Sequence, residues 1–172
     1  MSIVIIGGPN RGKSSLAKRL AETTGLLHRC TDPQHLCKGE MIGTPSRLGY
    51  GDVSQWVADQ WMPLPNLIIE GVHGASGLLK YMSGSKHHAP VTRVIYMPLT
   101  LGYDSLPGHI RQTEYVEKRF AELKPAIESI LEFWVPDGQQ GFKEVPRVSL
   151  VAHTPSVQRP KTGKEKRAQY RR

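Results

Sequence analysis

The sequence predicts an α/β fold, a five-stranded, mainly parallel sheet flanked by helices. Three observations carry that expectation. Short runs rich in β-branched residues recur at 2–6, 67–69 and 91–97. Stretches with helical spacing of apolar residues separate them. A glycine-rich turn joins the first apolar run directly to the first helical stretch. Strands alternating with helices imply parallel pairing, because each crossover helix must cover a face of the sheet.

Taken in order, Ser2 to Ile6 (Ser-Ile-Val-Ile-Ile) reads as a central strand buried on both faces. Lys13 to Thr24 places Leu16, Leu20 and Ala21 on one helical face, and Gly25 stands where a C-capping glycine belongs. Leu26 to Cys30 reads as the second strand, ending at Thr31-Asp32-Pro33. Residues 34–50 are turn-rich and carry no assignment. Asp52 to Trp61 reads as a helix with Asp52 as N-cap and Val53, Trp56, Val57 and Trp61 on one face; Pro63 and Pro65 stop it. Leu67-Ile68-Ile69 reads as the third strand, Gly77 to Met82 as a short helix and Val91 to Met97 as the fourth strand. Glu114 to Phe133 is the longest helical pattern, and Pro125 is expected to kink or divide it. Arg147 to Ala152 reads as the fifth strand.

The chain has 172 residues, 38% of them hydrophobic, which suits one compact domain with a real core. We expect that domain to span 1–157 and a basic, flexible tail to occupy 158–172. From Arg159 to Arg172 the chain carries seven basic residues against one acid, net +6; the other 158 residues hold 16 basic and 14 acidic side chains, net +2. A cationic arm of this kind favours a polyanion, so nucleic acid is the expected partner of the tail. No run of about 18 apolar residues suggests a membrane span. The first residues lack the basic and apolar regions of a secretory signal, so a cytoplasmic location is expected, host cytoplasm if the source is a virus. Cys30 and Cys37 make neither a disulfide framework nor a zinc set. Oligomeric state is not readable from the sequence.

The sharpest motif is Gly7-Gly8-Pro9-Asn10-Arg11-Gly12-Lys13-Ser14, which fits Gly-x-x-x-x-Gly-Lys-[Ser/Thr] between a buried strand and a helix. Glycines let such a loop fold into a nest of N–H donors around phosphate oxygens, and the helix N-terminus adds its positive end. The loop from Gly7 through Ser15 is therefore expected to bind ATP or GTP. Lys13 would neutralise the outer phosphates and the Ser14 hydroxyl would ligate Mg²⁺. Asp32, at the end of the second strand, is the candidate base for an acceptor hydroxyl, since it should rise from the sheet edge that carries the loop. Glu70, directly after a buried apolar run, is the candidate to hold Mg²⁺ or its bound water, or to assist catalysis as a base. Arg111 and Arg119, with Lys118, follow the loop after the fourth strand and are candidates to close over the transferred phosphate. A solvated helix face is the competing reading for all three. Thr154 and Pro155, in a loop after the fifth strand, are expected to pass close to the nucleotide base.

On these residues the core of the chain, 1 to about 157, resembles the P-loop kinase superfamily of nucleoside, nucleotide, shikimate and polynucleotide kinases. The resemblance implies a small-kinase P-loop fold using ATP and Mg²⁺, with Asp32 matching the strand-ending base of polynucleotide kinase and Glu70 the acid of the family. Trp56-Val57-Ala58 and Ile68-Ile69-Glu70-Gly71-Val72 are similar to segments of small phage-type P-loop kinases, some acting on hydroxymethyluracil in DNA. A paired Asp-x-Asp after the second strand is missing, which separates the chain from shikimate kinases. Nor is there a closely spaced pair of lid arginines. The expected activity is transfer of the γ-phosphate of ATP to a hydroxyl of a nucleic acid or nucleotide. The alternatives are a small-molecule kinase, for a nucleoside or metabolite, and a nucleotide-dependent binding protein.

Overall fold

The computed structural model describes residues 1–32, 50–84, 91–98, 107–137 and 141–145. Strands β1 (Ser2–Ile6), β2 (Leu27–Cys30), β3 (Leu67–Glu70), β4 (Val91–Tyr96), β5 (Leu131–Pro136) and β6 (Phe142–Glu144) form one sheet in the order β2-β3-β1-β4-β5-β6. The first five are parallel to their neighbours, and β6 runs antiparallel to β5. Helices α1 (Lys13–Thr24), α2 (Tyr50–Gln60), α3 (Gly74–Ser83) and α4 (Pro107–Ile127) flank it. None of the described helices is long and apolar enough to cross a membrane.

β1 is wholly buried, as a central parallel strand with β-branched residues on both faces should be. Its side chains alternate: Ile3 and Ile5 pack with Ile68, Ile95 and Met97 against Leu16 and Ala17 of α1. Val4 and Ile6 face the other way, with Ile69, Val94 and Phe133, toward Val57 of α2, Leu78 of α3 and Phe120 and Leu123 of α4. Tyr96 stacks on Phe120 with ring centroids 3.8 Å apart and meets Phe133 edge-on at 5.7 Å. Register puts Ile5 beside Glu70 and Cys30 beside Glu70, so β1, β2 and β3 end level with one another. That shared edge carries the site.

Three expectations need correction. The sheet has six strands among the described residues, not five. The long helix does not run from Glu114 to Phe133: it starts at Pro107, continues two residues past Pro125 to Ile127, passes through a 3₁₀ turn (Glu128–Ile130) and becomes β5 at Leu131. Ile127, Ile130 and Leu131 satisfy helical spacing, which hid the alternation that begins with Leu131 and Phe133 inward and Glu132 and Trp134 on the opposite face. Glu132 there takes a bidentate pair from Arg93 on β4, at 2.7 Å to each oxygen, and a bond from the Trp134 indole at 2.9 Å. The strand expected at 147–152, Thr154 and Pro155, the tail 158–172 and Cys37 lie outside the described residues. Gly25 caps α1 as expected, at φ 72°, its N–H donating to Ala21 O at 2.9 Å. The helices expected over Asp52–Trp61 and Gly77–Met82 are present as α2 and α3, but α2 starts two residues earlier, at Tyr50, so Asp52 lies inside its first turn and is not its N-cap, and α3 starts three residues earlier.

Candidate active site

β1 stops at Ile6 and α1 starts at Lys13, so the glycine-rich motif is the whole connection between them. Gly12 enters the helix at φ 79°, in the left-handed region that a side chain disfavours. Its carbonyl accepts the first helical bond from Leu16 N at 2.9 Å. Lys13 folds back over the loop and its Nζ donates to Gly8 O at 2.7 Å. Only 6% of Lys13 is exposed. Burial lowers its pKa, against the opposing pull of the Asp32 and Glu70 carboxylates.

Ser14, one residue on, donates its hydroxyl to Glu70 Oε1 at 3.0 Å. Glu70 ends β3 with no exposed surface, and His28 Nε2 on β2 lies 3.3 Å from the same oxygen. Burial pushes this carboxyl up, but hydrogen bonding from His28, Cys30 and Ser14 and the charge of Lys13 outweigh it and hold Glu70 below the usual carboxylate range. It is an anion in the folded protein. The Cys30 thiol is pushed far up by burial and by that anion, so it stays protonated. Glu70 Oε2 is buried with no hydrogen-bond partner. An anionic oxygen so placed, beside a serine hydroxyl, is the donor chemistry a hard divalent cation takes, and the residues present therefore fit Mg²⁺.

A cleft of about 660 Å³ opens beside the loop. Residues 9–15 form its floor, Asp32 and Val72 one wall, and Gly108, His109 and Gln112 from the first turns of α4 the other. Asp32 is thus brought to the loop as expected, its Oδ1 accepting from Val72 N at 2.9 Å. Arg111 and Lys118 are exposed on α4 and do not line the cleft. Arg119 is paired with Glu122 at 2.7 Å and lies 5.6 Å from the Tyr115 ring centroid. Instead His109 Nδ1 meets Asn10 Nδ2 of the loop at 3.3 Å. His109 and Gln112 escaped sequence reading because α4 seemed to begin at Glu114. A proline at 107 in the first helical position was the available signal.

Arg11 is 2% exposed. Its guanidinium lies close to Gly8 and acts on Glu117 of α4, whose Oε2 accepts from Tyr96 Oη at 2.5 Å. On the far side, Phe142 of β6 packs against Gly12.

No family model matches the chain. Its sequence is similar to an adenylate kinase of Methanothrix thermoacetophila, 29% identical over 142 residues, covering 80% of this chain and 54% of that protein. The chain thus spans about half the length of the curated relative it matches. Its structure is similar to a shikimate kinase from Acinetobacter baumannii in complex with shikimate, at 12% identity and TM-score 0.46 over 77% of this chain and 80% of that one. It is also similar to the YorR protein of Bacillus subtilis in complex with phosphorylated GDP, at 16% identity and TM-score 0.42 over 81% and 87%. The sequence likeness to an adenylate kinase and the meeting of Lys13, Ser14 and Glu70 at one sheet edge agree on a P-loop, kinase-like α/β fold.

Proposed function

We propose that the protein is an ATP-dependent phosphotransferase whose acceptor lies against Asp32. The observation that carries this reading is that one cleft holds both the P-loop and the Asp32 carboxylate. ATP phosphates would lie on residues 7–15, where Lys13 exchanges the Gly8 carbonyl for phosphate oxygens. Ser14 and Glu70 would hold Mg²⁺, which supplies positive charge to the phosphates. An acceptor hydroxyl gives its proton to Asp32 as its oxygen bonds to the γ-phosphorus, the bond to the bridging oxygen breaks, and ADP leaves. His109 and Gln112 stand on the opposite wall, where the sequence suggested Arg111 or Arg119; they offer donors to the same phosphate.

The acceptor class follows from what Asp32 is needed for. A hydroxyl must lose a proton in the reaction, whereas a nucleotide phosphate is already ionised at neutral pH and needs no base. Sequence likeness to an adenylate kinase favours a nucleotide, and the basic tail favours nucleic acid, with hydroxymethyluracil in DNA the most specific form of that reading. The test is γ-labelled ATP offered to AMP, to deoxynucleosides, to 5′-hydroxyl DNA and to hydroxymethyluracil DNA, with wild type and Asp32→Asn. For a hydroxyl acceptor, Asp32→Asn lowers turnover about 10²–10⁴-fold with ATP binding retained. Transfer to AMP that survives this substitution selects a phosphate acceptor. Failure of wild type to label any of the four, with ATP bound, removes the kinase reading in favour of a nucleotide-dependent binding protein.

A further inference from the structure

Asp32 is held by more of the protein than a turn aspartate requires. The turn after β3 approaches it from below. Gly71 there has φ 116°, and a Cβ on it would lie 2.4 Å from Thr31 Oγ1 and 2.7 Å from Asp32 Oδ1, so no larger residue fits. The next two amides both point at the two residues that follow β2: Val72 N–H donates to Asp32 Oδ1 at 2.9 Å and His73 N–H to Thr31 Oγ1 at 3.1 Å. Thr31 N–H in turn donates to Glu70 O at 2.7 Å, which closes the clasp onto the end of β3.

The clasp has a third anchor. His73 has no exposed surface, and its Nδ1 lies 3.0 Å from Ser54 Oγ on α2. Gly77 N donates to His73 O at 2.8 Å, starting α3. One residue therefore joins α2, α3 and the segment after β2 through its ring, its carbonyl and its amide. An apolar side chain of the same volume would fill this space without the desolvation cost of an imidazole, but without a directional bond to α2. The bond fixes where the 71–73 turn sits, and the turn fixes Asp32.

We propose that His73 and Ser54 are positioning residues for Asp32, pinning the 71–73 turn to α2 so that Val72 N–H occupies one carboxylate oxygen and the other is left for the acceptor. The functional half of this statement rests on the kinase reading; the clasp itself does not. Two measurements separate them. Amide exchange at Val72 is followed in wild type, Ser54→Ala, His73→Leu and the conservative His73→Asn. Phosphate transfer from γ-labelled ATP to the same four acceptors is followed in each variant, alone and combined with Asp32→Asn. Ser54→Ala and His73→Leu are expected to speed Val72 exchange about tenfold and His73→Asn to restore most of the protection. Turnover falls about tenfold to a hundredfold with KM for ATP unchanged, and falls no further once Asp32 is Asn. Unchanged Val72 exchange in both disruptive variants overturns the proposal, as does a loss that adds to that of Asp32→Asn or appears in KM for ATP. If wild type labels no acceptor, the kinase reading fails and Val72 exchange alone decides the clasp.

Discussion

Glu70 and Glu117 both place carboxylate oxygens in the interior beside the same loop, and each is met by a different part of that loop. Glu70, at the end of β3, faces Lys13 and Ser14 and accepts from His28 as well. Those partners overcome the cost of burial and keep it charged. Glu117, on α4, has Tyr96 Oη as its hydrogen-bond donor and the Arg11 guanidinium as its cation. Its Oε1 is buried without a partner, and burial outweighs both, so its pKa is raised. The difference teaches that burial alone does not set the charge of a carboxylate; the number of donors aimed at the charged form does. It also separates two uses of one loop. Lys13 and Ser14 meet the anionic Glu70, while the Arg11 charge acts on Glu117 of α4.

Substitutions can break this contrast, and the largest effect should come from Lys13. Lys13→Ala is expected to remove roughly 2–5 kcal/mol of ATP binding, read by calorimetric titration, because it leaves the phosphates and Glu70 without their buried cation. A change within error would show that Lys13 does not turn from Gly8 to the nucleotide. Next is Glu70→Gln, which should weaken apparent Mg²⁺ affinity in the ATP-bound protein by about a hundredfold, at least the loss seen when a ligand's supporting group is removed. An unaltered Mg²⁺ dependence would place the metal elsewhere.

On the α4 side the effects should appear in stability. Breaking a buried ion pair commonly costs about 3–5 kcal/mol because one charge is stranded. Glu117 can take a proton instead, so Arg11→Met should cost only about 1–3 kcal/mol in urea unfolding, with ATP binding less affected than in Lys13→Ala. The smallest effect belongs to Glu117→Gln. A raised folded pKa means the folded chain keeps a proton that the unfolded chain has released. Stability therefore falls as pH rises from about 4.5 through the folded value and stays lower above it. Among the described residues, the groups facing this carboxyl are Tyr96 and Arg11. Gln keeps an acceptor for Tyr96 and has no proton to lose. Its stability relative to wild type should rise across that window and level off above the folded value; a relative fall there would show that Glu117 works as an anion paired with Arg11.

Much of the candidate site was legible in the sequence because its signals are local. The loop from Gly7 to Ser14, the apolar run before it and the capping glycine at 25 each depend on neighbours within a few residues. Asp32 and Glu70 were placed by a related rule: residues that end parallel strands lie at the sheet edge that carries the loop, and in Glu70 a charge directly follows a buried run. The opposite wall of the cleft was not legible. His109 and Gln112 enter only because α4 packs beside the loop, and that packing depends on Thr113 near Gly8 and Glu117 under Tyr96, contacts between residues about 20 to 105 positions apart. Leu131–Pro136 was misread for a different reason: a helix running into a strand through one turn lets the two periodicities overlap.

The sequence by itself determined an α/β chain with a glycine-rich P-loop between its central strand and first helix, since hydrophobic period and glycine placement are properties of short segments. Tertiary structure decided the strand order, the sixth antiparallel strand and the partners of each ionisable group. It also decided that His73 and Ser54 stand behind Asp32. The physical reason is that charge state and side-chain aim depend on distances through space and on burial, and those exist only once β1, β2 and β3 end level with one another.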